Sequence, residues 1–461
     1  MKTFDIEVEN FGPIKRGKVE TSRLNIICGP NNSGKSMFLH SFYAFLRRGV
    51  REFLSISVPP EVVNAVKSTG TVKIALSDYR FRLNDCLTQA TNRIIESKTM
   101  PFWLSKQEVM FQNAKFHIST NLEYLLDNGK ESGGGRFQVT ENCICEFEKS
   151  GINDTLVITF KNTGNEYPDE TLIKDAIESV VRYVLTWFVF FTPAFLLTSE
   201  RIGAAIFTDD ITLKKERDIQ MQKNVPPPKS FSITHSDELR FVSHANLKTI
   251  FKSNSTLIQD EAYKHIFDLL HEIVSGTYIF DDVKGIRFKP DGTILALDMS
   301  EVSSSVRSLM SLDVILRHGI HSLPATIMID EPEINLTPHN QRLFARLLVQ
   351  LVKAGIDVFI TTHSDYIVRE LNTLVAFSKQ TKHTKKIAKK YQYGDDEHIE
   401  SDNVALYYLR KPKQMKKNEN NAFKRIHLNG DPRLDIPPFD ESIDEMVRTQ
   451  TDLSLEWRND E

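Results

Sequence analysis

One stretch constrains this chain more than any other: "LNIICGPNNSGKSMFLHSFYAFLRR", residues 24–48. Leu24 to Cys28 reads as an apolar strand, the residues after it as a glycine-rich turn, and the remainder as an amphipathic helix. The turn fits G-x-x-x-x-G-K-[ST] in the strand-to-helix context that gives the pattern its meaning. Gly29 and Gly34 let the backbone wrap a phosphate, with N–H groups and the helix N-terminus directed at it. Gly29, Pro30, Asn31, Asn32, Ser33, Gly34, Lys35 and Ser36 therefore form the expected nucleotide cradle. Within it Lys35 meets the β- and γ-phosphates as a point charge and the Ser36 hydroxyl is a Mg²⁺ ligand.

A second segment supplies what such a cradle needs. In "TIMIDEPEINLTP", residues 326–338, a strand buried on both faces (Thr326 to Asp330) ends in two adjacent carboxylates with no basic residue before Arg342. Buried carboxylates are costly unless a cation or a set of donors meets them. A Mg²⁺ bridging two phosphates is such a cation. The expected arrangement sets this strand beside the P-loop strand, with Asp330 holding the metal and Glu331 orienting and deprotonating the attacking water. A third buried strand, Asp357 to Thr362, ends in His363 and Ser364. Next to the Asp330 strand, His363 is placed to hydrogen-bond the γ-phosphate or the attacking water.

Composition narrows the setting. With 461 residues the chain is long enough for a large α/β domain with an insertion, or for two to three domains. A formal net charge of −3 excludes a polycation built to coat nucleic acid. Cys143 and Cys145 make a C-x-C pair, but no second pair sits at zinc-ligand spacing, so the better reading is two small residues on one strand face. The N-terminus has no apolar signal core, and few cysteines point to the cytoplasm. "YVLTWFVFFTPAFLLT", Tyr183 to Thr198, is shorter than the roughly 18 to 20 apolar residues a bilayer needs and is broken by Pro193. It reads as a core helix, a turn at Thr192–Pro193 and a buried strand from Ala194, not as a membrane span.

The P-loop, the D-E-P-E-x-x-L-x-P block and T-T-H-S-D together resemble the ABC-type ATPase heads of the RecF, SMC and OLD (overcoming lysogenization defect) group. The opening "FDIEVENFGPIKRGKVE" is similar to that group's N-terminal hairpin, and "PAFLLTSERIGA" to the P-A-E-R-x-G strand end of its AAA_15-like branch. The resemblance implies an α/β fold of ABC-ATPase type: a mostly parallel sheet, an antiparallel β-lobe and a mainly helical insertion. It implies ATP and Mg²⁺ as cofactors, hydrolysis to ADP and phosphate, and self-association into an ATP-sandwiched homodimer or higher oligomer. It also implies a signature loop completing the partner's ATP site, for which Ser303, Ser304 and Ser305 in "SEVSSSVRSLMSLDVILRHG" are the candidates. The transporter-type L-S-G-G-Q is absent, and Val306–Arg307 stand where Gly and Gln or Glu are usual; Arg307 either approaches phosphate or lies on the helix surface. No Q-loop glutamine is evident, which leaves Glu200 or Arg201 for that position, and Leu336–Thr337–Pro338 departs from the usual L-H-P.

The expected organisation is an N-terminal head segment with the P-loop (1–78), an insertion (79–190), a second head segment (191–375) and a basic-then-acidic C-terminal region (376–461). No sustained heptad pattern marks a long coiled coil. Residues 70–77 and 137–161 alternate like strands that extend the β-lobe; 79–130 and 168–190 read as helices. Gly129 to Phe137 reads as a flexible loop and Asn224 to Phe231 as a stiff connector. Lys379 to Lys390 and Arg410 to Arg425 are basic, leaving nucleic-acid contact open. The stretch after position 375 has no D-x-D and is short for a TOPRIM domain. The sequence is thus similar to ATPase subunits of bacterial anti-phage systems of the Septu and PARIS type, which act with a separate nuclease or toxin. A RecF-like repair ATPase and an ATP-stabilised scaffold with little turnover stay open beside it.

Overall fold

A computed structural model describes residues 4–78, 83–104, 106–120, 133–150, 155–164, 167–185, 193–206, 232–415, 419–431 and 445–453. The chain divides into two compact units, residues 1–21 with 40–194, and 22–39 with 195–461. These limits differ from the expected breaks at 78, 190 and 375.

The second unit is built on a six-stranded sheet with the order Phe423–Ile426, Val404–Leu409, Leu24–Cys28, Ile356–Thr362, Ala325–Asp330, Ala194–Leu197. Four neighbouring strands run parallel: Val404–Leu409, Leu24–Cys28, Ile356–Thr362 and Ala325–Asp330. Every residue of those four is buried, as parallel strands covered on both faces require. Two expectations change here. The Ile356–Thr362 strand lies between the P-loop strand and the Asp330 strand, pairing Thr362 with Cys28 and Thr361 with Asp330. Fully buried parallel strands carry the same uniform apolar pattern, so nothing in that pattern tells which will be neighbours. The P-loop strand's other neighbour, Val404–Leu409, comes from the C-terminal stretch that had been set apart from the head. Its "VALYYL" is apolar throughout, and the basic residues around it mask that pattern in a composition count.

Because the three strand ends Cys28, Asp330 and Thr362 fall together, the loops that leave them converge at the carboxyl edge of the sheet, where open α/β sheets bind ligands. Helices leave these loops with capped starts. Ser364 accepts from the Ile367 N–H at the head of Asp365–Ser378, and Thr337 accepts from Asn340 before Pro338–Lys353, which carries proline in its first turn. A small antiparallel sheet, Gly276–Asp281, Gly285–Pro290 and Leu297–Asp298, leads into the signature helix Ser304–Val314.

In the first unit, Phe4–Phe11 pairs antiparallel with Ile14–Glu20 through the N-F-G-P-I turn and with Lys115–Thr120 on its other side. Gly12 takes φ 55° in that turn, a left-handed conformation that glycine adopts without penalty. A separate sheet has the order Thr71–Ala75, Thr155–Asn162, Cys143–Lys149, Gly133–Thr140. The expected strands over 70–77 and 137–161 are thus present as Thr71–Ala75, Gly133–Thr140, Cys143–Lys149 and Thr155–Asn162, with 151–154 outside the described residues. They form their own sheet rather than extending the N-terminal one. The region 79–130 is helical at Leu83–Glu96 and Thr99–Leu104, then gives the strand Lys115–Thr120, whose alternating burial is the period of two expected of a half-buried strand. The glycines expected to form a loop instead open the strand Gly133–Thr140; 129–132 lie outside the described residues, as do Asn224 to Phe231. Cys143 and Cys145 are both buried on one strand. No helix among the described residues is long and apolar enough to cross a membrane. The helix expected over 168–190 is Glu170–Val184, and Ala194–Leu197 is the strand expected beyond Pro193.

Candidate nucleotide site

The P-loop owes its shape to three residues with positive φ. Gly29 (150°), Asn32 (60°) and Gly34 (102°) turn the backbone in ways that β-branched residues resist. A Cβ at Gly29 would lie 2.5 Å from the Leu409 carbonyl oxygen, so the turn also needs glycine for space. Asn31 and Asn32 are exposed at its crest, while Ser33 and Lys35 are buried below. The Ser33 hydroxyl has no hydrogen-bond partner among the described residues. Lys35 Nζ donates to the carbonyls of Gly29 and Pro30, both at 3.1 Å, and to His363 Nε2 at 2.8 Å. Burial lowers the Lys35 pKa, and the nearby Glu331 and Asp330 carboxylates oppose that shift. A buried unpartnered hydroxyl, a lysine folded back onto its own loop and positive-φ glycines together fit a phosphate-binding turn.

The acidic strand end closes on this loop. Asp330 is 1% exposed, and its Oδ1 accepts from Ser36 Oγ at 2.9 Å and from the Thr361 hydroxyl. The two expected metal ligands are thus in direct contact. A hydroxyl and a carboxylate are hard oxygen donors of the kind Mg²⁺ takes, so Ser36 and Asp330 fit that ion. Glu331 is half-buried and sits at φ 49°, in the left-handed region. Its N–H is shared between the carbonyl and hydroxyl of Thr361, at 3.1 and 3.2 Å. Burial, then the Asp330 carboxylate, raises the Glu331 pKa, toward the range in which a carboxylate accepts a proton usefully. Its Oε1 is 3.7 Å from His363 Nε2.

His363 is held from its backbone side. Glu333 accepts from the His363 N–H at 2.5 Å and from the Thr362 hydroxyl at 2.9 Å, and burial raises its carboxyl above the ordinary range. Since Nε2 accepts from the Lys35 ammonium, that nitrogen is unprotonated and the ring neutral. Burial, then the Lys35 charge, lowers the His363 pKa accordingly. The sequence had given Glu333 no role; as the third carboxylate of D-E-P-E it was visible, but nothing in its spacing says that it turns back onto the histidine strand.

The signature serines stand apart. Ser303 caps its helix, its Oγ 3.4 Å from the Val306 N–H and 2.9 Å from Ser305 Oγ, and the Ser305 carbonyl accepts from Ser308. Their hydrogen bonds stay within their own turn. Arg307 is partly exposed on its helix, and its Nη1 braces the preceding loop through the carbonyls of Met299, Ser300 and Val302. Arg201, weighed for the Q-loop position, is 2% exposed and grips backbone: Nε to the Ser308 carbonyl, Nη1 to those of Thr198 and Asp330, Nη2 to that of Glu331. Glu200 instead turns to the surface, where His235 and Ser199 hold its pKa down to about 2.

A buried parallel sheet whose carboxyl edge joins a P-loop, a paired aspartate and glutamate and a histidine defines an ABC-type P-loop ATPase head. A family model described as "AAA ATPase domain" (AAA_15) matches residues 1–183 and 212–368, and the chain belongs to this family. Among solved structures it is similar to an SMC head bound to the C-winged helix domain of ScpA (11% identity, TM-score 0.32, 80% of this chain and 92% of that one). It is also similar to the SMC head domain from Thermotoga maritima (14%, 0.28, 80% and 92%). A third is the Smc head with an extended coiled coil bound to the C-terminal domain of ScpA, from Pyrococcus furiosus (12%, 0.33, 97% and 100%). No curated protein sequence matches the chain at a significant level.

Proposed function

We propose that this protein hydrolyses ATP at a site that two copies complete, and that the state of this site controls a separate effector protein. The carrying observation is the 2.9 Å contact between Ser36 and Asp330, with the carboxyl of Glu331 on the next residue and raised in pKa. Ser36 and Asp330 would hold Mg²⁺, which would offset negative charge on the phosphates when bound. Lys35 exchanges its contacts with the Gly29 and Pro30 carbonyls for the β- and γ-phosphates. Glu331 takes a proton from the attacking water, and neutral His363, fixed through its backbone by Glu333, hydrogen-bonds that water or the γ-phosphate. Ser303, Ser304 and Ser305 offer hydroxyls and helix N-terminal N–H groups to nucleotide on a second copy.

Support for the effector reading comes from the resemblance of the T-T-H-S-D and "TSERIGA" blocks to this group and to ATPase subunits of anti-phage systems, in which a nuclease or toxin is a separate chain; the setting it proposes is the bacterial cytoplasm. Contact with nucleic acid has its own support. The helix Lys382–Lys390 carries exposed lysines at 382, 385, 386, 389 and 390. Like charges at i and i+4 destabilise a helix, and a phosphate backbone relieves that repulsion.

Glu331→Gln tests the central claim because it keeps shape and removes the base. Loss of a positioned base costs on the order of 10² to 10⁴ in rate. The variant should bind ATP, hardly hydrolyse it, and accumulate as an ATP-dependent oligomer visible in a mass measurement. Asp330→Asn should lose Mg²⁺-dependent binding as well. Hydrolysis by Glu331→Gln at the parent rate assigns the base elsewhere; no turnover by the parent leaves the scaffold reading.

A further inference from the structure

Arg201 is a buried cation that the carboxylates of Glu238, Asp330, Glu333 and Glu331 favour electrostatically, while its hydrogen bonds among the described residues go to backbone carbonyls. A guanidinium taken out of water is costly unless hydrogen bonds replace its hydration. Four backbone carbonyls do so here, at 2.9 to 3.0 Å. They belong to three segments: Thr198 at the end of an outer strand, Ser308 in the signature helix, and Asp330 and Glu331 at the acidic strand end. Each arm of the guanidinium has a definite task. Nη2 holds the carbonyl of Glu331, whose N–H is already held by Thr361, so both sides of a left-handed non-glycine residue are fixed. Such a conformation is unfavourable for a non-glycine residue and persists only where its surroundings over-determine it. Nε holds Ser308, one turn into the helix that Ser303 caps.

We propose that Arg201 is a positioning residue for hydrolysis: it ties the backbone of Glu331 to the signature helix, so that the placement of the base follows the placement of that helix. This deepens the function proposed above and rests on it. When a second copy's nucleotide engages Ser303–Ser305, any shift of their helix reaches Glu331 of the same chain through one rigid planar group. A lysine cannot replace it, because a single ammonium cannot reach carbonyls on three segments at once.

Two variants and two readouts test the tie. Arg201→Met keeps an unbranched apolar stem without the charge, and Arg201→Lys keeps charge without the fork. In nucleotide-free protein, hydrogen exchange should accelerate together in peptides covering 304–310 and 329–333; acceleration in neither, or in one alone, overturns the tie. In steady-state kinetics kcat should fall about a hundredfold, the cost of a roughly 1 Å misplacement, while the KM for ATP stays within about threefold. Arg201→Lys should recover part of the loss. An unchanged kcat, or a KM rising in step with the fall, counts against positioning. The effects of Ser304→Ala and Arg201→Lys should combine to less than their product, since both act on one path; simple multiplication rejects the coupling. Parent protein without turnover above Glu331→Gln is a failure of the hydrolysis reading, and the exchange data then still decide the tie.

Discussion

The P-loop with its acidic strand end, and the signature loop, lie on the same unit yet are built in opposite ways. In the first, the functional side chains bond one another: Lys35 to His363, Ser36 to Asp330, Thr361 to Asp330, Glu333 to the His363 backbone. In the second, Ser303 and Ser305 bond each other, and Arg307 and the hydroxyl of Tyr278 brace the turn from behind. A site whose groups already answer one another needs only its ligand. A preorganised row of hydroxyls at a helix N-terminus, with no opposing group of its own, needs a ligand presented from elsewhere. The contrast is what the proposed two-copy site would require, with one half of the chemistry on each copy.

The largest effect should come from breaking the half that acts across the interface. Ser304→Arg should bind ATP and yet leave no active site in its own homodimer. Mixing it with Lys35→Ala should restore at most one active site per dimer, because each chain then supplies what the other lacks. A fully inactive mixture in a hydrolysis assay would make the sites independent.

Next is the self-contained half. Lys35→Ala should weaken ATP binding on the order of a hundredfold, the loss of charge-assisted contacts that no other basic residue of the loop replaces. Unchanged affinity by equilibrium titration removes the P-loop assignment.

A third group is Glu238, 5% exposed, with one oxygen accepting from the Thr198 hydroxyl at 2.5 Å and the other without a hydrogen-bond partner among the described residues. Burial pushes its pKa from 4.5 to about 7. The folded protein therefore keeps a proton that the unfolded chain releases, and the charged carboxylate is the form that folding disfavours. Its contribution to stability is present below pH 4.5 and lost as the pH rises through about 7. Glu238→Gln should flatten that loss, by at most about 3 kcal/mol, in urea midpoints compared at pH 5 and pH 8. An identical pH slope in parent and variant would refute the assignment. The smallest effect belongs to Thr361→Val, which keeps shape but removes the hydroxyl shared by Asp330 and the Glu331 N–H. It should cost about 1 kcal/mol, read as a few-fold lower kcat. A loss as large as that of Glu331→Gln would mean that Thr361 does more than position.

Legibility followed locality. Gly29 to Ser36 was readable because one turn must carry both the positive-φ glycines and the lysine that the phosphates require. Asp330, Glu331 and His363 were readable because each stands at the end of a stretch that reads as a buried strand. Glu333 and Arg201 were not, since their partners are far along the chain or are backbone carbonyls, which leave no mark in side-chain spacing. The carbonyl contacts of Arg307 were hidden for the same reason, and the glycines opening Gly133–Thr140 show that turn-prone composition yields to cross-strand pairing when a neighbouring strand supplies the hydrogen bonds.

By itself the sequence determined that the chain carries a P-loop between a buried strand and a helix, that acidic residues and a histidine stand at the ends of two further buried strands, and that its opening is a hairpin. These are short-range patterns, set by burial on two faces and by what one turn's backbone allows. Only the tertiary structure decided that the histidine strand lies between the P-loop and acidic strands, that "VALYYL" from the basic C-terminal stretch completes the P-loop strand's other flank, and that Arg201 joins the signature helix to Glu331. Fully buried parallel strands share one pattern and can be permuted without changing it. Their order is therefore fixed by the crossovers and by packing, which are properties of the whole chain.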